Sequence, residues 1–536
     1  MFKWHDLPRR TFVKMGLQAG MIGISSCSKP GQSDSEPSAS DRIRTIYSPT
    51  TIVGSGFGGA VAAEKMTRAG HQVLMLERGR RWDDVQDQPN PFSALFPPDG
   101  RSTWLRNRTI LPAGPRMPIR KYAGVLDRVD FPDIQIYRGA GYGGGSLVYS
   151  AVMVEPQEKI FQKDFGAYVD VEKFYDIYFP RARQGTGTTP MPEDIRTYNP
   201  YQAMSVFQKE ALAARLDLAE HQGAINWNQL RRELNDEIPR SLAYGFTNYG
   251  NAHGSKLSLD YTYLKRAEET GRLNVLPLHI VKSINENKSG GYLIEIERIS
   301  LRGRIEERIM LITDALVLSA GSLGTTELLL RAKTQGTLPK LSNQIGQSWG
   351  NNGFVLFGRS NVSEATGKSQ GAPGIYGINT SLPNTVDSFI EFAQTPSVSD
   401  GKSMLYAALT DINFRGSVSY DQDKDSILIH FPDEGKVQAV EACQAVMKKL
   451  IAANGGVLTD NLITKGYNTQ VTYHPVGGCS LGQVTDPYGR VEGYNKLYIT
   501  DTSLFPGTGS CANPALTAAA LAEWCMDHVL EDFDQV

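Results

Sequence analysis

Apolar residues in this chain gather in short unbroken runs, each ending in a glycine-rich turn or leading to a helix-length stretch. That pattern predicts strands buried on both faces rather than half-exposed ones. Thr51-Ile52-Val53 runs into Gly54-Ser55-Gly56-Phe57-Gly58-Gly59. A helical stretch from Gly58 to Ala69 follows, Gly70 stops it, and a second run, Val73-Leu74-Met75-Leu76, ends in Glu77. Leu316-Val317-Leu318 repeats the theme, with a turn at Ser319-Ala320-Gly321 and a helix over 325–332. Lys496-Leu497-Tyr498-Ile499-Thr500-Asp501 repeats it again as a buried strand. A turn-rich loop over 505–512 then leads to Asn513-Pro514, which opens an alanine-rich helix former. Asn suits the N-cap and Pro the first helical position. Residues 274–281 read as one more strand of the set, although any edge strand has the same look.

The first of these units carries a chemical meaning beyond its shape. A carboxylate about 20 residues past a glycine turn, with strand, helix and strand in register, is the βαβ unit that binds a dinucleotide. Gly54, Ser55, Gly56, Phe57, Gly58 and Gly59 form the turn that meets a pyrophosphate, and Glu77 accepts from a ribose hydroxyl. NAD and FAD share this signature, so other segments must choose between them. Arg138-Gly139-Ala140-Gly141-Tyr142-Gly143-Gly144-Gly145-Ser146-Leu147-Val148 is dense in glycine yet runs straight into apolar residues. A glycine loop that enters the core predicts a backbone lying against a ligand at Gly141, Gly144, Gly145 and Ser146. The helix start at Asn513-Pro514 offers free amides and a positive dipole end, which suits the negative charge of a reduced flavin; a plain cap is the alternative reading of Asn513.

Composition adds exclusions. Hydrophobic content of 40% and charged content of 21% describe an ordinary globular chain, and a net charge of −2 gives no case for nucleic acid. The five cysteines show no metal spacing and are too sparse for a disulfide framework. The first residues stand apart. Pro8-Arg9-Arg10-Thr11-Phe12-Val13-Lys14 has the twin-arginine form, and the apolar stretch after it is too short for a permanent span. Ile24-Ser25-Ser26-Cys27 resembles a lipobox, and residues 28–41 are rich in Ser, Pro and Gly. The reading is an export signal over 1–27, lipidation at Cys27, a flexible tether over 28–44, and a periplasmic or other extracytoplasmic, lipid-anchored protein.

Val471-Thr472-Tyr473-His474-Pro475-Val476-Gly477-Gly478-Cys479 supplies a histidine, the natural acceptor of a hydroxyl proton near neutral pH. Alone, a His-Pro pair is most simply a turn. In company with the glycine turn, the Tyr498–Asp501 strand and the Asn513-Pro514 helix start, in this order, the chain resembles the glucose–methanol–choline (GMC) oxidoreductases, above all the bacterial cholesterol oxidases with non-covalent FAD. Tyr122-Ala123-Gly124-Val125-Leu126-Asp127, Tyr178-Phe179-Pro180-Arg181-Ala182, Ala320-Gly321-Ser322-Leu323-Gly324-Thr325-Thr326-Glu327 and Asp486-Pro487-Tyr488-Gly489-Arg490-Val491 carry the likeness along nearly the whole chain.

The resemblance implies an α/β fold in which a Rossmann-like FAD domain (45–82, 257–348 and 490–536) is interleaved with an α+β substrate domain (83–256 and 349–489), with 138–148 touching the flavin. It implies FAD held non-covalently, with Val281, Gly321, Asp501, Asn513 and Pro514 among its contacts and Val281 beside the adenine. It places the catalytic roles on His474, Asn513 and Glu391, with no metal. Glu391, between Ile390 and Phe392, reads equally well as an acid on the polar face of a strand. The implied reaction is oxidation of a 3β-hydroxysteroid by a monomer, with Glu391 moving a proton if a Δ5 double bond is isomerised. The electron acceptor in this reading is dioxygen, a quinone or a protein carrier, and no motif chooses among them. Two departures bear on the substrate. Tyr149-Ser150-Ala151-Val152 stands where Asn-Gly-Gly-Met is usual, and the loop over 96–120 diverges. A different bulky or lipid alcohol is one rival reading, and a flavin- or lipid-binding lipoprotein without turnover is another.

Overall fold

The structure is a computed structural model that describes residues 43–82, 90–111, 116–251, 253–395, 400–459 and 470–534. The export signal, Cys27 and most of the tether lie outside these residues. The βαβ unit forms where the apolar runs place it: β1 (Arg44–Val53), α1 (Phe57–Arg68) and β2 (Val73–Glu77), the last buried at every position. The predicted strand over 274–281 is two strands, β3 (Leu273–Pro277) and β4 (His279–Glu286). The break falls at Leu278, whose φ of 62° ends one strand and re-aims the chain into the next.

A meander of β4, β5 (Tyr292–Ile299) and β6 (Ile305–Leu318) follows, then α2 (Gly321–Thr334). Near the C-terminus β7 (Leu497–Ile499) precedes α3 (Pro514–Val529). The strand order is β3-β2-β1-β6-β5-β4, with β7 added to β6. Strands β3, β2, β1, β6 and β7 are mutually parallel, and the meander is antiparallel. Helix α1 buries Ala60, Val61, Ala62 and Ala63 completely, and these short side chains let it pack closely on the alanine-rich α3. Lys65 ties the same two helices by pairing with Glu523 at 2.7 Å.

A second, antiparallel sheet of six strands runs in the order Val457–Thr459, Val355–Ser360, Met404–Thr410, Ser388–Ala393, Tyr376–Thr380 and Asp217–Glu220. A small third sheet matters for the site. Gln470–Thr472 lies parallel to the Ile134–Gly139 strand, with Thr472 opposite Ile136. Parallel neighbours leave a sheet at the same end, so His474 and the glycine loop that starts at Gly139 emerge side by side. The Tyr137 and Tyr473 rings stack there at 4.9 Å. Cys443, Cys479, Cys511 and Cys525 are buried free thiols.

Candidate active site

The turn between β1 and α1 uses its glycines for different reasons. Gly54 adopts φ +95°, and a Cβ on it would lie 2.2 Å from the Ser319 carbonyl oxygen where β6 ends. A Cβ on Gly58 would lie 2.0 Å from the Thr500 carbonyl, just past β7, and one on Gly59 would lie 2.1 Å from the Gly54 carbonyl. These positions are glycine because backbone meets backbone. Gly56 differs: it is extended, and a Cβ there meets no protein atom within 4 Å. Nothing in the protein demands glycine at 56, whereas a ligand lying over the turn would.

The second glycine segment closes on the first. A Cβ on Gly144 would sit 2.7 Å from the Gly56 Cα, and the neighbouring Gly145 again faces open space. Ser55 links the two segments. Its Oγ lies 2.6 Å from the Glu77 carboxylate and accepts from the Gly143 amide at 3.1 Å. Glu77 also accepts from the Ser55 amide at 3.2 Å and the Gly79 amide at 2.8 Å, so it braces the turn as well as ending β2. Gly56 has no side chain to cap α1, which leaves the first helical amides available to an anion. Open space over Gly56 and Gly145, free amides and a buried carboxylate together fit a dinucleotide.

The remaining cofactor candidates are placed as follows. Phe57 is half-buried, its ring edge-on to Tyr149 at 5.8 Å. Gly141 packs on the Trp82 indole. Ser146 accepts from the Leu259 amide at 3.0 Å and donates to the Gly143 carbonyl at 2.7 Å, which shapes the loop from within. Asp501 accepts from the Gly321 amide at 2.9 Å, from the Thr325 hydroxyl and from the Ser503 amide at 2.8 Å, tying α2 to the end of β7. Gly321 itself, at φ +79°, has open space where a Cβ would be. Val281 lies on β4 opposite Ile296, and the backbone in register with Glu77 is that of Pro277.

At the other end of the site three polar side chains meet an apolar wall. Phe354, Phe389, Ala407, Leu409, Cys511 and Ala512 belong to one buried cluster. Glu391 alternates with Phe389 along its strand and so shares its face, with Gly377 and Ala407 as cross-strand partners. It is 8% exposed, so the polar-face reading of this acid does not hold. Burial pushes its carboxyl up to about 7, with a hydrogen bond from Asn513 pulling the other way.

Asn513 occupies the N-cap position of α3, yet its side chain makes no capping bond. Its Nδ2 donates instead to Glu391 Oε1 at 3.2 Å. The plain-cap reading of Asn513 is thereby replaced by a side chain aimed across the site. His474 is half-buried with its ring edge-on to Phe354 at 5.3 Å, and its amide donates to Thr472 Oγ1 at 2.9 Å. Burial pushes its imidazole down to about 4, so it is neutral at ordinary pH.

One short segment joins these parts, and sequence reasoning missed it. Asn351 accepts from the Thr472 hydroxyl through its carbonyl at 3.0 Å, and Asn352 Nδ2 donates to the Ala512 carbonyl at 2.8 Å. Residues 351–354 therefore clip the His474 loop and the Asn513 helix start to the same wall. The only signal for it in the sequence is an Asn-Asn-Gly turn, which is common. His474 Nδ1, Glu391 Oε2 and Asn513 Oδ1 are all buried and without a protein partner. Asn513 and Glu391 touch each other, and His474 packs on Phe354 of the adjoining wall, so these unpaired atoms are available to a polar ligand there.

Comparison with known proteins agrees with this arrangement. Residues 415–522 match a model described as GMC oxidoreductase and 352–464 one described as GMC oxidoreductase, C-terminal, while 52–82 match an NAD(P)-binding Rossmann-like domain. The cholesterol oxidase of Acinetobacter baumannii is 24% identical over 89% of this chain and 93% of its own. That of Mycobacterium tuberculosis is 24% identical over 88% and 89%. A solved fungal aryl-alcohol oxidase superposes with a TM-score of 0.64 at 14% identity, covering 91% of this chain and 99% of its own. The two GMC models take in the Glu391, His474 and Asn513 segments, so over residues 352–522 the chain is similar to the GMC oxidoreductases.

Proposed function

We propose that this protein is an FAD-dependent alcohol oxidoreductase that oxidises a 3β-hydroxysteroid to the 3-ketone and isomerises a Δ5 product to the conjugated Δ4 ketone. The single observation that carries the reading is Glu391. A carboxyl with an orphan oxygen, held by Asn513 against an apolar wall, suits proton transfer on a carbon acid with an apolar body. A binding protein without turnover gains nothing from it. The likeness to cholesterol oxidases over most of the chain supports the substrate class.

The turn at Gly54–Gly59, the loop at Gly141–Ser146 and Glu77 would hold the FAD non-covalently. When bound, FAD supplies the hydride acceptor. The chain's own residues handle protons. His474, neutral because it is buried, accepts the hydroxyl proton directly or through water as the carbinol carbon is oxidised. Asn513 orients the oxygen and steadies Glu391. Glu391, as carboxylate, removes the C4 proton of the Δ5 ketone and returns it at C6, with no net change in the residue. A second reading, another bulky alcohol, is favoured by Tyr149, whose ring meets Phe57 where the resembling enzymes carry a smaller residue. Anaerobic mixing with a Δ5-3β-hydroxysterol should bleach the flavin. Bleaching by aryl or long-chain alcohols alone would decide for the second reading.

The two burial effects predict a split pH profile. His474 keeps its basic form down to about pH 4, whereas Glu391 loses its basic form as pH falls below about 7. Flavin reduction should therefore stay flat between those values, while isomerisation should fall by about tenfold per pH unit below the Glu391 value. Parallel decline of both rates would break the assignment. His474→Ala should slow flavin reduction by roughly 100-fold or more, read in single-turnover stopped flow.

Export and anchoring are proposed from the leader motifs alone. Replacing Arg9 and Arg10 by lysine should trap the protein in the cytoplasm, and Cys27→Ala should release it from the membrane. Unchanged membrane association of the Cys27→Ala protein would remove the lipid anchor from the proposal.

A further inference from the structure

Among the described residues Lys256 is the one buried lysine, at 1% exposure. Its Nζ donates to three backbone carbonyls, Leu147 at 2.7 Å, Tyr149 at 2.9 Å and Thr247 at 3.2 Å. That uses every proton of an ammonium group. No carboxylate lies within ion-pair distance among the described residues, and the Asp260 charge reaches it only through space. A buried cation without a counter-ion is costly, and neutral donors would satisfy the same carbonyls. The charge therefore calls for its own explanation.

What it holds gives the explanation. Leu147 ends the tight turn Gly144–Leu147, and Tyr149 follows it. The front of that turn lies on Gly56. Its back is tied to the Lys256 segment a second time, by the Leu259 amide on Ser146. A positive charge thus sits directly behind the loop that closes on the dinucleotide turn. A bound dinucleotide is an anion, and a flavin becomes more negative on reduction.

Resting on the FAD reading above, we propose that Lys256 is a positioning residue for the cofactor: it locks the glycine loop against the dinucleotide turn and holds behind it a positive charge that favours the reduced flavin. Burial lowers the Lys256 ammonium to about 7, with the Asp260 charge pulling the other way, so the charge is held at some expense.

The test compares the holoenzyme with Lys256→Met, which loses charge and donors, and Lys256→Gln, which keeps donors only. FAD affinity is read by fluorescence on adding FAD to apoprotein, and the midpoint potential by dye equilibration. Lys256→Met should bind FAD roughly tenfold more weakly. Both variants should show a more negative midpoint potential than the parent. Unchanged potential in the two variants, with or without weaker binding, would reduce Lys256 to a strut and overturn the proposal. So would failure of both to fold. A parent chain that takes up no FAD would instead sink the underlying reading, and that result appears before any substitution is made.

Discussion

The Gly56→Val protein is expected to fold and to purify colourless. Gly56 is extended, a conformation that any residue adopts, and a Cβ on it meets no protein atom within 4 Å. The valine Cβ meets no protein atom, so the melting temperature of the apoprotein should stay close to that of the parent stripped of FAD. The open space is the space over the helix start where a pyrophosphate would lie, and a branched side chain fills it. FAD content by absorbance should fall to background, and activity with it. Gly58→Ala makes the contrast. One methyl group at 58 would lie 2.0 Å from the Thr500 carbonyl, so this smaller change should damage folding itself. If Gly56→Val retains bound FAD, the cradle is misassigned. If Gly58→Ala is as stable as the parent, the contact between α1 and the end of β7 is looser than described.

The Glu391→Gln protein should oxidise a Δ5-3β-hydroxysterol and then stop, releasing the unconjugated ketone. Glutamine keeps the size of the side chain and an oxygen for Asn513 Nδ2, whose contact at 3.2 Å can persist. It has no basic oxygen to take the C4 proton. Loss of a positioned base commonly costs 10²- to 10⁴-fold, so the conjugated-enone absorbance should rise far more slowly than the flavin is reduced. Reduction depends on His474, which this substitution leaves in place beside Phe354. Conjugated product formed at the parent rate would mean that a different group is the base. A flavin never reduced by any 3β-hydroxysterol would end the steroid reading and direct attention to Tyr149.

Much of the nucleotide half was legible along the chain because its determinants are local. Unbroken apolar runs at 51–53, 73–76, 316–318 and 497–499 all form parallel strands of one sheet. Gly54, Gly58 and Gly59 stand in a turn whose length and sequence dictate a strand-to-helix reversal. The 274–281 segment was legible only in part, since a single left-handed residue, Leu278, divides it, and leucine gives no sign of that conformation. The catalytic half was legible by resemblance alone. His474 looks like a turn and Asn513 like a cap, while Glu391 could lie on either face of its strand.

The sequence by itself determined the buried parallel sheet, the glycine turn with its paired acid, and the class of ligand these serve, because periodicity and glycine placement act over a few residues. Only the tertiary structure decided which glycines lie against backbone and which face open space, because that depends on atoms distant in the chain, such as the Thr500 carbonyl opposite Gly58 and nothing opposite Gly56. It alone turned Asn513 from a helix cap into a partner of Glu391, and set Lys256 behind the glycine loop. Those relations join residues more than 100 positions apart, and their physics, desolvation and hydrogen-bond geometry, exists only once the chain has folded around them.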